Sequence, residues 1–108
     1  QWDATLRWMQ TSSNSEVANF PINSEGKGNY SGLKKATGSN SDYAVNNIYD
    51  MAGNVWDWTL EAINTNSRVI RGGSCRTTAS SDPASVRGSL VPTFSYSLDG
   101  CRSTLYVK

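Results

Sequence analysis

Two cysteines and no histidine set the chemical limits of this chain. Cys75 and Cys101 are its strongest nucleophiles; two such thiols pair as a disulfide, remain free, or act as thiolates where a nearby charge lowers their pKa. The absence of His removes Ser-His-Asp triads, His-ligated zinc and the commonest general base together. Serine is abundant, but hydrolysis by Ser without any His is unattractive. Thr, Ser, Arg, Phe and Tyr in the last third of the chain suit a different chemistry. They offer adaptable hydrogen bonds and aromatic contact to a ligand.

That last third is compositionally distinct. Ser74–Asp99 runs for 26 residues with no Lys, Glu, Gln, Met or Trp, whereas the other 82 residues hold 15 of those types. Random replacement of the two adenines in an AAC asparagine codon yields Ser, Thr, Tyr, Asp, Gly, Ala, Val, Leu, Arg, Cys, Phe, Pro, His or Ile, and never those five. The alternative reading is an ordinary exposed loop region rich in small polar residues.

The elements that must position these residues are short. Trp2–Gln10 places Trp2, Leu6 and Met9 at helical spacing, with Asp3 and Arg7 four apart on another face, which predicts a short amphipathic helix. Thr11–Ser41 is rich in Ser, Asn and Gly and reads as surface loop with one turn of helix at most. Gly53-Asn54 predicts a tight turn leading into a strand over Val55–Thr59, with Trp56 and Trp58 read as core packing. Arg68–Arg71 is strand-like and stops at Gly72-Gly73, a backbone turn rather than a phosphate cradle. Ser103–Val107 is a further β-prone run.

Composition closes off several classes. The chain has 108 residues, 37% hydrophobic, with 4 Trp, 5 Tyr and 2 Phe, enough for one globular domain with an adequate core. A net charge of +1 makes no case for nucleic acid. No apolar run reaches membrane-spanning length, so no membrane insertion is expected.

Three motifs together resemble the formylglycine-generating-enzyme (sulfatase-modifying factor) family, a variant of the C-type lectin fold. They are Tyr49-Asp50-Met51-Ala52-Gly53-Asn54-Val55-Trp56-Asp57-Trp58, with Asp57 where Glu is usual; Arg71-Gly72-Gly73-Ser74; and Gly100-Cys101-Arg102, with Cys where Phe is usual. The resemblance implies an α+β, C-type lectin-like, loop-rich single domain over 1–108, corresponding to the C-terminal portion of the family domain. It also implies a buried place for Cys101. The lectin-like fold usually pairs its first strand with its last. Here the last strand, Ser103–Val107, is expected to be an open edge, completed by a removed N-terminal segment or another chain unless the domain is a compact variant.

In the family's enzymes, positions matching Asp50, Gly53, Val55 and Asp57 bind a structural calcium, which the resemblance extends to this chain as its one metal; no other cofactor is required. A capping or hydrogen-bonding role for the two carboxylates is the alternative. The family's oxidases use two cysteines, with copper, at positions that are Thr77 and Asp82 here. The expectation is therefore a non-catalytic member, with a degenerate structural role as runner-up and a copper-dependent oxidase a distant third.

The chain is most similar to the variable proteins of diversity-generating retroelements, whose C-terminal stretch is rewritten by adenine-directed mutagenesis. The resemblance marks Cys75, Arg76, Thr77, Thr78, Ser80, Ser81, Val86, Ser89, Leu90, Phe94, Tyr96 and Leu98 as ligand-contacting positions within 74–99. Pro83-Ala84-Ser85, Arg87 and Pro92-Thr93 are expected as framework. The implied function is binding of a cell-surface protein or glycan, with Phe94 and Tyr96 as anchors and Arg76 as a charged contact. The implied setting is extracellular, on a phage virion or bacterial cell surface.

Overall fold

A computed structural model describes residues 1–103. Helix α1 spans Trp2–Gln10, as its apolar spacing predicts, and buries Leu6 and Met9. Its outer side carries Asp3 to an ion pair with Arg71. Helix α2 is a single short piece, Ser15–Asn19. The Asn14 side chain caps it, accepting from the amides of Glu16 at 2.9 Å and Val17 at 3.4 Å and so satisfying two otherwise unpaired donors. A 3-10 turn at Ser41–Tyr43 then leads into a two-residue hairpin, β1 Ala44–Val45 and β2 Ile48–Tyr49. Asn46 and Asn47 between them have φ of 50° and 62°, the left-handed pair that a tight hairpin turn demands and that Asn tolerates.

The main sheet has four strands in the order β5-β4-β3-β6: β3 Trp56–Ala62, β4 Arg68–Arg71, β5 Arg87–Leu90 and β6 Asp99–Cys101. β3, β4 and β5 are antiparallel neighbours, and β6 lies parallel to β3. Residues 91–98 must therefore cross the sheet from one edge to the other. Leu98 is buried at the end of this crossover, where its carbonyl accepts from Trp56 N at 2.7 Å.

The apolar core joins α1 to the loops. Leu6, Met9, Phe20, Val45, Met51, Ala52 and Ala84 form it, with Trp2, Val17, Tyr30 and Ile48 packed at its margin. Trp2 is fixed by its indole N–H, which donates to Ala84 O at 2.8 Å. Trp56 and Trp58 depart from expectation. Both are half-buried and stand outside this core, because residues two apart on a strand share one face and that face of β3 is incompletely covered. Cys101 departs as well: it is exposed in β6, not buried as an aromatic replacement would be. Both cysteines are free. Of the expected final strand, Ser103 is in no strand and residues 104–107 lie outside the described residues.

Candidate functional site

Three loops lock together under the last third of the chain, and polar groups are the lock. Asn54 adopts φ 61° directly after Gly53 at 68°, so the predicted tight turn is left-handed twice over. That geometry aims the Asn54 side chain at residues 29–35. Its Oδ1 accepts from Asn29 Nδ2 at 3.0 Å and Lys35 N at 2.9 Å, and its Nδ2 donates to Lys35 O at 3.0 Å. Asn29 in turn donates to Leu33 O at 2.9 Å and accepts from Ser31 Oγ at 2.7 Å. A Cβ on Gly53 would stand 2.4 Å from Asn29 O, so only Gly fits.

The same turn holds the Gly72-Gly73 turn. Gly53 N donates to Gly72 O at 2.7 Å, Cys75 N to Asn54 O at 2.9 Å, and Gly32 N to Cys75 O at 2.7 Å. Both backbone groups of Cys75 are thus tied into the web and its side chain is buried. The Cys75 side chain, expected at the contact face, does not reach the surface. Leu98, buried beneath the crossover, is withdrawn for the same physical reason.

Beyond Cys75 the chain turns outward. Arg76, Thr78, Ser80, Ser81, Ser89, Phe94 and Tyr96 are exposed, while Thr77, Val86 and Leu90 are half-buried. Hydroxyls organise the first loop: Thr78 Oγ1 lies 3.0 Å from both Ser80 Oγ and Ser81 Oγ. Thr77 Oγ1 donates to Ser74 O at 3.0 Å and so serves the turn itself. The crossover presents Phe94 and Tyr96 as a tilted ring pair, centroids 6.3 Å apart. Lys34, which the sequence reading did not single out, clasps the crossover by donating to Ser97 O at 3.2 Å.

Thr77 and Asp82 are brought together. A Cβ on Gly73 would lie 3.2 Å from Thr77 Oγ1 and 2.8 Å from Asp82 O. The topology therefore converges these two positions, but it supplies a hydroxyl and a carboxylate. Neither thiol of the chain stands at either place.

A polar cavity of about 230 Å³ lies elsewhere, walled by Thr37, Asp50, Val55, Asp57, Cys101 and Arg102 among others. Asp50 Oδ2 accepts from Gly38 N at 3.0 Å, and Asp57 Oδ2 from Arg102 Nε at 3.1 Å. Burial pushes the Asp57 carboxyl up from its ordinary value, with repulsion from Asp50 adding to the rise and Arg102 opposing it. The set does not fit calcium. That ion takes roughly six to eight oxygens. Here both carboxylates already accept N–H donors, and a guanidinium shares the cavity. Arg102 also borders a wider, more apolar groove of about 930 Å³ along Trp2, Met51, Trp58 and Leu60.

Residues 1–104 match the family model for the sulfatase-modifying factor enzyme 1-like domain. The chain belongs to this family. Among solved structures it is similar to Treponema denticola variable protein 1, with 23% identity and a TM-score of 0.52 over 84% of this chain. It spans 37% of that longer chain. This family member therefore has the α+β, loop-rich, C-type lectin-like fold. No curated protein matches it closely enough to be counted a relative.

Proposed function

We propose that this chain is a non-catalytic ligand-binding domain whose contact face is the exposed part of residues 76–96. Its ligand is a cell-surface protein or glycan, met outside the cell from a phage virion or a bacterial surface. One observation carries the reading. The compositional boundary at Ser74 falls at the structural boundary between the locked web and the outward-facing loops. Arg76, Thr78, Ser80, Ser81, Ser89, Phe94 and Tyr96 can change side chain without disturbing a framework hydrogen bond, which is what a rewritable face requires. Phe94 and Tyr96 provide the apolar anchors and the hydroxyls provide adaptable polar contacts. The similarity to a variable protein supports the same reading. The divergence at Thr77 and Asp82, which replaces both thiols of the oxidase pair, supports the non-catalytic part. Another segment or another chain completes the fold in this proposal.

The test is to sequence the 3′ end of the gene across many members of the source population. Substitutions are expected in scattered codons for the exposed positions, with Cys75, Ala84 and Arg87 unchanged. A uniform sequence across the population would sink the diversified surface.

A further inference from the structure

We infer that Arg102 is the resident cation of the cavity between Asp50 and Asp57, holding the elements around that cavity together without a metal. The geometry is that of a cation in a ligand shell. Arg102 Nε donates to Asp57 Oδ2 at 3.1 Å, one terminal nitrogen donates to Tyr49 O at 2.7 Å and the other to Asp50 O at 2.7 Å. The guanidinium carbon also lies 5.9 Å from the centroid of a Trp2 ring, a cation–π distance. One side chain thereby ties the end of β6 to β3, to the β2 end and to α1.

Electrostatics supports this role for Arg102. Asp57 is 4% exposed, and an isolated carboxylate at such a place would be costly. The planar fork of Arg meets several oxygens at once, which an ammonium cannot do. A divalent ion entering the same cavity would meet the guanidinium charge and would have to displace it from Asp57. The left-handed backbone of Asp50, φ 54°, turns its carbonyl to Arg102 while its carboxylate accepts from Gly38 N. The shorter Asp57, where the family has Glu, suits a partner that reaches toward it.

The experiment is thermal unfolding of the wild type with chelator, with calcium and with neither, alongside Arg102→Ala and Arg102→Lys. The wild type is expected to melt at one temperature in all three conditions. Arg102→Ala is expected to melt lower by roughly 10 °C or more, because a buried carboxylate loses its partner, and to gain a calcium-dependent rise. Arg102→Lys should fall between, since a point charge cannot span three acceptors. Chelator lowering the wild-type melting temperature, or calcium raising it, would overturn the inference. The wild-type and Lys arms decide it even if Arg102→Ala does not fold.

Discussion

The web around Asn54 and the loops beyond Arg76 are built from similar small polar residues and behave in opposite ways. In the web the polar groups reach other segments of the chain: Asn29 to Asn54, Asn54 to Lys35 and Cys75, Gly53 to Gly72. In the loop over 78–81 the hydroxyls bond to one another and to local backbone, with partners two or three residues away. Composition does not separate these regions. Range does. A buried Asn that closes loops 25 residues apart fixes a fold, while an exposed Ser that bonds its neighbour leaves its position open to replacement.

The sharpest way to break the comparison is Asn54→Ala. It strands the buried Asn29 side-chain amide and releases the Lys35 amide and carbonyl of the exposed loop, so a loss of roughly 1 to 3 kcal/mol is expected. Urea unfolding measures it. That is a sizeable fraction of the stability of a small domain. Asn54→Asp keeps the acceptor, loses the donor and should fall between. If Asn54→Ala cost no more than a surface substitution, the web would not be what holds the loops.

The two regions also differ in how far they could be read from the residues alone. Helix α1 and strand β4 were legible because their patterns are local: Leu6 and Met9 at helical spacing, and Arg68–Arg71 ending on Gly72. The left-handed Gly53-Asn54 turn was legible from residue type. The hairpin at Asn46-Asn47 carried the same kind of signal and went unread, because its strands are only two residues long. Strand β5, Arg87–Leu90, has no β pattern of its own and exists through pairing with β4. The burial of Cys75 and the three-way grip of Arg102 depend on contacts across 21 to 53 residues, which no local pattern encodes. For the candidate face, the boundary near Ser74 was visible in composition. Which side chains within it point outward was not, since strand ends, a turn and a crossover set that.

Asp99 lies between the two regimes and gives a smaller effect of opposite sign. It begins β6 at the end of the crossover, and neither carboxylate oxygen, both buried, finds a hydrogen-bond partner among the described residues. Burial alone pushes its carboxyl above the ordinary 3.8. An acid whose folded-state pKa is raised favours folding most below its unfolded value, and that contribution is lost as pH rises through the folded pKa. At neutral pH the buried charge is a penalty. Asp99→Asn is therefore expected to stabilise the protein at pH 7 by on the order of 1 kcal/mol and to give no gain near pH 4. Urea unfolding at the two pH values checks the sign. Destabilisation at pH 7 would mean that the carboxylate has a favourable partner in solution.

The smallest expected change completes the comparison. Replacing Thr78, Ser80 and Ser81 together with Ala removes a whole hydroxyl cluster, yet all three are exposed and water can take over every bond they make. Each substitution should stay within about 0.5 kcal/mol, and the triple variant should lose less than the sum of the three because their partners are mainly each other. A set of unfolding curves on the three single variants and the triple variant measures this. A loss comparable to that of Asn54→Ala would show that the loop is part of the framework and cannot be rewritten freely. Near-neutrality fits a face whose side chains are chosen for what they touch outside the molecule.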